Sequence, residues 1–248
     1  MRFIKTPNLP SGAVCFALVS ARAKDVIAAL ERRGIEVLPV GDAPNLPQPI
    51  ASHADVNCLH LGGGAVAVNS EQTSLCEALR RRGFEVIPQR GMGKRYPDDC
   101  ALNALLIGQG TSLSHAAALS GPVGDFLFQR HFSFLRVKQG YARCSAALLN
   151  AQAAMTADRN IREALAGIGC ECLLLPAGEI ALPGYAGGFI GGCCFKLDGR
   201  TLAFAGRAAG LSYYAQIAAF CGKWNTDICE LGSGPLTDIG GAVPLLEE

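Results

Sequence analysis

Short segments that alternate apolar and polar side chains recur along the chain. Residues 34–39 have the sequence Gly-Ile-Glu-Val-Leu-Pro, and residues 83–88 have Gly-Phe-Glu-Val-Ile-Pro. Looser versions begin at residues 169 and 226. Because successive side chains of a strand point to opposite faces, this alternation predicts a β-strand. Its recurrence predicts a structural unit that is repeated along the chain.

Helical periodicity precedes each of these strands. Apolar side chains spaced three and four residues apart predict helices over residues 22–33, 71–82, 158–166 and 211–221. The hydroxyl residues Ser20, Ser70 and Thr156 are placed to cap the first three. A weaker, Ala-rich helix is predicted near residues 112–119, with its following strand at 132–138.

Five cysteines recur at nearly even intervals, at positions 15, 58, 100, 144 and 193. A period of this size is typical of repeated supersecondary units. The short apolar segments around these cysteines, such as 54–59, 140–145 and 187–193, are predicted to be further strands. We therefore expect the five thiols to mark the same inner strand in each unit, unpaired and at comparable depth.

The combined pattern predicts a ββαβ unit repeated five times. The predicted units are residues 11–45, 54–90, 98–138, 139–178 and 187–234, with a closing strand at 236–245. Parallel strands require a helical crossover, and one such unit cannot bury both faces of its sheet. Five units around an axis can do so. We therefore predict an α/β protein whose residues 1–248 form one domain, a five-bladed pseudo-symmetric α/β propeller.

Composition restricts the classes of function. Half of the residues are apolar, 17% are charged, and 22 basic residues balance 21 acidic ones to a net charge of +1. This balance gives no electrostatic attraction for nucleic acid. No apolar run approaches the roughly 20 residues of a membrane helix, and no secretory signal is visible. Eleven cysteines, an odd number, are expected to be reduced and mostly buried, so we predict a cytoplasmic protein.

Two local sequences add a resemblance to this architecture. They are Val-Lys-Gln-Gly-Tyr-Ala-Arg-Cys-Ser at residues 137–145 and Asp-Ile-Gly-Gly at residues 238–241. Together with five units that cover almost the whole chain, they resemble an uncharacterised bacterial branch of the pentein fold, the guanidino-group modifying superfamily. The resemblance implies a small polar ligand in the axial pocket, an amino acid or guanidino compound. It also implies hydrolase or amidinotransferase-like chemistry, and no cofactor.

The enzymes of that superfamily use a late cysteine nucleophile, a histidine from a middle blade and carboxylates that bind the guanidinium group. In this chain the comparable segment, residues 234–242, contains no cysteine, and Asp238 lies near the expected position. No histidine of the middle blade matches. Whether the protein is an enzyme stays open at this point. Because the superfamily includes a ribosome-binding factor, the alternatives are a non-enzymatic module that binds a protein partner and a lapsed enzyme.

Three residues are candidates for catalysis. Asp238 is placed in the last turn, where its other role is an Asx turn before two glycines. His60 precedes three glycines, although a structural histidine fits that position better. Cys144 follows Arg143, whose charge could lower the pKa of the thiol, but a buried apolar cysteine fits the repeat better. His53 and His115 are expected at the surface or in helices.

Seven residues are candidates for ligand binding. Carboxylates bind a planar cation in pairs, and basic or phenolic groups bind an anion or carboxylate. In each case the alternative is the ordinary polarity of a turn or strand edge. No metal site is predicted, because the Cys170 and Cys172 pair has no matching second pair. The seven candidates are Asp55, Asn57, Asp98, Asp99, Lys138, Tyr141 and Arg143.

Overall fold

The computed structural model describes residues 1–108 and 110–248 and contains five small β-sheets. The strands are β1 (Arg2–Phe3), β2 (Val14–Ser20), β3 (Glu36–Val40), β4 (Cys58–Gly62), β5 (Ala65–Asn69), β6 (Glu85–Gln89), β7 (Leu105–Ile107), β8 (Thr111–Ser114), β9 (Ser133–Arg136), β10 (Ala146–Asn150), β11 (Ala153–Thr156), β12 (Glu171–Leu174), β13 (Cys194–Lys196), β14 (Thr201–Phe204), β15 (Asp227–Glu230) and β16 (Ala242–Glu247). The helices are α1 (Lys24–Glu31), α2 (Ala54–Asn57), α3 (Thr73–Arg81), α4 (Gly121–Gln129), α5 (Ala142–Ser145), α6 (Arg159–Ala166), α7 (Ile190–Cys193) and α8 (Tyr214–Lys223).

Each sheet has the connectivity that the repeat predicts. In blades 2 to 5 an inner strand pairs antiparallel with a second strand, which pairs in parallel with a third, as in β4-β5-β6 and β10-β11-β12. The parallel pair is joined by one of the longer helices, α3, α4, α6 or α8, because a parallel connection must cross the sheet. The predicted five-bladed α/β architecture is confirmed.

The first blade is completed by the last strand of the chain. Strand β16 pairs antiparallel with β2, with Val243 opposite Leu18, and with β1, where Arg2 is opposite Glu247. The Glu247 carboxylate accepts hydrogen bonds from the backbone N–H groups of Ser11 at 2.6 Å and Gly12 at 2.8 Å. A closing strand was predicted at residues 236–245; the structure has one at Ala242–Glu247, and it supplies the inner strand of blade 1.

The hydrophobic core consists of five clusters, each between two neighbouring blades. Along β10, Leu148 packs toward blade 3, whereas Leu149 packs toward blade 5. Side chains of a strand alternate between its faces, so each sheet buries apolar residues on both sides. This burial on both faces explains why the sequences of the short inner strands are almost uniformly apolar.

The outer helices are close to their predicted positions, with one exception. Helix α6 begins after Asp158, whose side chain accepts a hydrogen bond from the Ile161 N–H at 2.9 Å as a helix cap. The helix predicted near residues 112–119 is only partly right, because a short 3-10 helix occupies Ala116–Leu119. Residues Thr111–Ser114 form β8, and the helix of blade 3 begins only at Gly121, with Pro122 in its first turn. Proline is favoured there because its missing N–H would have no helical partner.

The inner segments that hold the periodic cysteines were predicted as strands and are instead single helical turns. Helices α2, α5 and α7 and the 3-10 turn Asp98–Cys100 each precede the inner strand of their blade. A four-residue helix has too few positions to show the 3.6-residue period of apolar side chains. The apolar turn therefore could not be distinguished in sequence from the apolar strand that follows it. The thiols of blades 2 to 5 lie in these turns or at the strand start and are buried.

The predicted equivalence of the five cysteines is therefore only approximate. Cys15 lies in the second strand of blade 1 and is partly exposed, because β16, not β2, is the inner strand there. All eleven cysteines are free thiols. Among the described residues, no helix is long and apolar enough to cross a membrane.

Candidate functional site

Four blades bring the second residue of their inner turn toward the centre of the ring. These residues are Asp55 in α2, Asp99 in the turn Asp98–Cys100, Arg143 in α5 and Gly191 in α7. All four are buried. Equivalent positions of a repeat therefore hold two carboxylates, one guanidinium and one glycine. This difference in side chains determines whether a buried carboxylate lies beside a guanidinium of the protein or beside a tyrosine hydroxyl.

A ring of hydrogen bonds joins the inner turns. The Asp55 N–H donates to the Gly240 carbonyl at 3.2 Å, and the Asn103 amide donates to the Asp55 carbonyl at 3.0 Å. The Arg143 N–H donates to the Asn103 carbonyl at 3.2 Å. The backbone N–H of Gly241 donates to the Gly192 carbonyl at 2.6 Å. Turns from all five blades thus contact one another at the axis.

An ion pair lies inside this ring. The Arg143 guanidinium donates to the Asp55 carboxylate over an Nη1–Oδ2 distance of 3.0 Å, and the two side chains are 6% and 0% exposed. Arg143 also donates to the Ala242 carbonyl at 2.7 Å and to the Asn8 side chain at 3.3 Å. Both were predicted to bind a ligand, and here each is bonded to other groups of the protein. The second Asp55 oxygen has no partner among the described residues.

The Cys144 thiol shares the same carboxylate. Its Sγ lies 2.8 Å from Asp55 Oδ2, and the Asn103 amide donates to the sulfur at 3.0 Å. Burial raises the pKa of the Cys144 thiol well above its ordinary value, and the Asp55 charge raises it further, against a smaller opposing effect of Arg143. The sulfur is therefore a protonated donor to Asp55, which differs from the activated thiolate that nucleophilic chemistry needs.

Asp238 lies beside this network and fixes the backbone of the last turn. Its carboxylate accepts hydrogen bonds from the Phe189 N–H at 2.9 Å and the Gly240 N–H at 3.0 Å. Burial raises its pKa, while His53, with Nδ1 at 3.8 Å from Oδ1, acts in the opposite direction. The prediction that His53 lies at the surface is wrong, because it is 6% exposed and packs under Gly240.

Two glycines of α7 allow this close approach. A Cβ on Gly191 would overlap the carbonyls of Arg143, Cys144 and Ala146. A Cβ on Gly192 would overlap the carboxylate of Asp238. Any larger residue here would push α7 away from α5 and from the last turn. The axis beside these glycines holds a cavity of only about 20 Å³, room for a single water-sized group, rather than the ligand-sized axial pocket that we expected.

A different group of side chains lies on the loop face of the ring, around Asp99. The Tyr141 hydroxyl donates to Asp99 Oδ2 at 2.6 Å. Asp99 is 4% exposed, and its Oδ1 has no hydrogen-bond partner among the described residues. Burial raises the pKa of Asp99, and the bond from Tyr141 opposes that effect. Burial, together with Asp99, raises the pKa of Tyr141, so its hydroxyl stays a donor.

Aromatic rings are grouped around Tyr141, the hydrogen-bond donor to this carboxylate. The ring of Tyr141 lies 6.3 Å from the ring centres of both Tyr96 and Phe189. Tyr185, 46% exposed, is near enough to Asp99 that the carboxylate adds to the rise in the tyrosine's pKa caused by burial. We call these five residues, Tyr96, Asp99, Tyr141, Tyr185 and Phe189, the loop-face cluster. It combines a buried carboxylate that has one free oxygen with exposed aromatic surface.

The side chains of the other predicted site residues make no hydrogen bond to either group among the described residues. Asp98 and Lys138 are exposed. The buried Asn57 amide donates to the carbonyls of Ala51 and His53, both at 2.9 Å, and so fixes the entry to α2. His60 lies on the inner strand β4, where its Nε2 is 2.9 Å from the Gly63 carbonyl. Burial lowers the pKa of His60 to about 4, which keeps it neutral.

Several residues of these groups were not found from the sequence. Asn103 had no motif to mark it, although it bonds both the backbone and the thiol of Cys144. Tyr141 and Phe189, by contrast, occupy the same position, immediately before α5 and α7. An alignment of the repeats at this position would have placed Phe189 beside Tyr141.

Within the described residues, no three His, Cys, Asp or Glu side chains are grouped as metal ligands.

Solved structures with the same architecture identify the class of fold. The chain superimposes on an agmatine deiminase from C. jejuni with a TM-score of 0.60 and 9% identity, over 98% of this chain and 97% of that one. It matches the inosamine-phosphate amidinotransferase of Streptomyces griseus with a TM-score of 0.62 and 11% identity, over 99% and 97%. A putative arginine deiminase from Porphyromonas gingivalis gives 0.57 and 12%, over 100% and 99%. The protein therefore has the pentein fold.

The family is defined by sequence as well. A model of a family of unknown function (DUF6873) matches residues 18–243, so the chain belongs to that family. No curated protein sequence matches the chain.

Proposed function

We propose that this protein binds a small organic cation, a guanidino compound or a cationic amino acid, at the loop-face cluster. The observation that carries the proposal is the free Oδ1 of Asp99, a buried acceptor that lacks a donor among the described residues. A buried polar group without a partner is costly, so such a group needs a ligand or water to satisfy it. A guanidinium or ammonium group offers both the donor and the opposite charge.

The surrounding side chains support a cation rather than an anion. The faces of Tyr96, Tyr141 and Phe189 carry partial negative charge, which attracts a cation that stacks on them. The Tyr141 hydroxyl holds the other carboxylate oxygen and thereby orients Asp99. Lys138 contributes its backbone carbonyl, which accepts from the Tyr96 hydroxyl at 3.2 Å. The cluster is therefore rich in acceptors and aromatic faces.

We further propose that binding occurs without thiol chemistry. Cys144 is buried and protonated, and its sulfur is bonded to Asp55 and Asn103. No histidine of the described chain is within hydrogen-bond reach of that sulfur, and a nucleophilic thiol requires such a base or a lowered pKa. Names of proteins with the same fold include agmatine deiminase and dimethylarginine dimethylaminohydrolase, which motivates the choice of guanidino probes. This combination favours the lapsed-enzyme hypothesis over a hydrolase.

The test is a thermal-shift titration with agmatine, arginine and dimethylarginine, with neutral citrulline as the ligand control. We expect at least one cation to raise the Tm of the wild-type protein, by the equivalent of about 2.7 kcal/mol at a hundredfold excess over Kd. Asp99→Asn should abolish the shift. The matched control Asp98→Asn changes the exposed neighbour in the same turn and should keep it. Equal shifts in the two variants would disprove a role for Asp99.

A second measurement addresses the absence of thiol chemistry. Each cation is incubated with the wild-type protein and with Cys144→Ser, and ammonia and ureido products are measured. We expect no product from either protein. Product formation that Cys144→Ser abolishes would show that the thiol is catalytic and would overturn this part of the proposal, whatever the thermal shifts.

A further inference from the structure

A cavity of about 850 Å³ lies between blades 1 and 5. Helix α1 forms one wall, and the segment 231–239, which leads from β15 to β16, forms much of the other. The volume falls within the range of about 300–1,000 Å³ that is usual for small-ligand sites. The described lining residues include no member of the loop-face cluster and neither partner of the Asp55–Arg143 pair. The ligand site proposed above therefore leaves this cavity unassigned.

Three exposed cations surround the cavity. Lys24 and Arg32 line its wall. Arg207 lines two neighbouring depressions that share wall residues with the cavity. None of the three forms an ion pair with a described residue. Arg22 also lines the wall, but it donates to Asp42 at 2.6 Å, so an acidic group of the protein already offsets its charge.

Acidic side chains are fewer on the same surface. Asp25 is the only carboxylate among the described residues of the cavity wall. Glu230 lines a neighbouring depression, where its carboxylate accepts a hydrogen bond from the Ala209 N–H at 2.8 Å. The net charge of +1 for the whole chain therefore conceals a local excess of positive charge. Such a surface attracts anions and repels cations.

The wall opposite α1 offers apolar surface and backbone donors. Leu231, Pro235 and Ile239 line the cavity and provide apolar area on which an organic group can pack. Gly232 and Gly234 line it as well, and their N–H groups have no backbone acceptor among the described residues. Because these positions carry no side chain, a ligand can approach the N–H groups closely. The cavity therefore matches a molecule that joins an anionic group to an organic body.

We propose that this cavity binds an organic diphosphate of nucleotide size. Lys24 is the first residue of α1 and Arg32 directly follows its last, so the helical rise separates their Cα atoms by about 12 Å. Two long cationic side chains at that spacing can contact the two phosphate groups, and the glycine N–H groups add donors from the opposite wall. A diphosphate carries several negative charges for the three cations, whereas a single carboxylate would engage only one of them.

A calorimetric titration of ADP into the wild-type protein, in buffer without divalent cations, tests the site. We expect saturable binding with a Kd below about 1 mM. Adenosine, which lacks the phosphates, should not bind in that range. Pyrophosphate, which lacks the organic body, should bind at least about fivefold more weakly than ADP. The absence of saturation by ADP, or binding of adenosine or pyrophosphate as tight as that of ADP, would overturn the proposal.

Substitutions in the wall place the ligand in this cavity. Lys24→Gln and Arg32→Gln should each weaken ADP binding by about tenfold, because each removes a charge-assisted contact to phosphate. Both side chains are exposed, so the variants should fold normally, which thermal unfolding checks. The control Arg136→Gln, at an exposed arginine of blade 3, should keep the wild-type affinity, and Asp25→Asn should raise it by removing the carboxylate of the wall. Unchanged affinity in both Lys24→Gln and Arg32→Gln would exclude this cavity as the binding site.

Discussion

The closed centre of the ring and its loop face use the same kinds of side chain in opposite ways. At the centre, the Asp55 carboxylate is bonded to Arg143 and Cys144, and the turns around it are joined by hydrogen bonds. On the loop face, Asp99 has one side-chain bond, from Tyr141. Each aspartate keeps one oxygen without a partner among the described residues, so the two carboxylates differ in their neighbours: a guanidinium and a thiol for Asp55, a tyrosine beside other aromatic rings for Asp99. Both aspartates occupy the second position of an inner turn. The fold therefore does not decide which carboxylate is available to a ligand; the neighbouring blade does.

The neighbour of Asp55 is a guanidinium of the protein itself. Arg143 brings its own guanidinium to the centre, where it pairs with Asp55. With that group in place, α7 has only glycine at the equivalent position, and little open volume is left. We therefore assign the centre to stability, and the predictions below test whether the loop face differs from it.

The largest effect is expected from Arg143→Met. This change leaves the Asp55 carboxylate buried without its counter-charge, and breaking a buried pair from one side costs about 3–5 kcal/mol. Urea unfolding measures the loss in the free energy of unfolding. The control Arg136→Met, at an exposed arginine, should stay within about 0.5 kcal/mol of the wild-type protein. A loss below about 1 kcal/mol in Arg143→Met would show that the centre is not held by this pair.

His60 is expected to make the protein less stable in acid. Its pKa is about 4 in the folded protein and near 6.5 when unfolded, so the unfolded state binds the proton more tightly. Its contribution is present above pH 6.5 and falls by about 3 kcal/mol as the pH drops to 4. The pH dependence of unfolding in His60→Gln should lack this component. The control His131→Asn, at an exposed histidine, should retain it, and a parallel decline in both variants would contradict the assignment.

Tyr141→Phe tests the one hydrogen bond that Asp99 makes with another side chain among the described residues. Removing the donor leaves the carboxylate less satisfied and should lower the free energy of unfolding by about 1–2 kcal/mol at neutral pH. Chemical denaturation provides the measurement, with Tyr214→Phe as a control on a tyrosine outside the loop-face cluster. An unchanged free energy of unfolding would indicate that packing alone, without the Tyr141 hydrogen bond, holds the Asp99 side chain in place.

Asp99 should respond to pH in the direction opposite to His60, with a smaller effect. Its pKa is raised in the folded protein, so the folded state binds the proton more tightly than the unfolded state. Stability contributed by this group therefore increases as the pH falls through the raised pKa toward 3.8, its ordinary value. Asp99→Asn should lose that gain, whereas Asp98→Asn should not. A gain that persists in Asp99→Asn would assign it to another carboxylate.

The smallest effect is expected from Lys138→Ala. The side chain is exposed and makes no ion pair with a described residue, so stability should change by less than about 0.5 kcal/mol. Thermal shifts with the guanidino probes should also be unchanged. A loss of ligand response in this variant would place Lys138 in the binding site and extend the loop face beyond the cluster defined here.

The sequence predicted the blades better than the site, for a physical reason. Strand alternation is a local property, so the Gly-x-Glu segments before β3 and β6 were sufficient to reveal the repeat. The partners Asp55 and Arg143 are separated by 88 residues, and no local pattern encodes their contact. Asp99 and Tyr141 were predicted to bind a ligand, but the sequence could not distinguish Asp99 from exposed Asp98. That distinction arises from the turn Asp98–Cys100, which directs adjacent side chains differently.

The position of β16 has a consequence for how the chain is made. Strands β2 and β3 of blade 1 precede every other blade along the chain, yet the inner strand of blade 1 is Ala242–Glu247, which follows them all. Until that strand has been synthesised, one edge of β2 has no partner strand, and the ring of blades is not closed. Cotranslational folding can therefore assemble blades 2 to 5 in order, whereas blade 1 must wait until Ala242–Glu247 have been synthesised. Translation stalled before residue 242 would yield a chain with exposed strand edges, a substrate for chaperones.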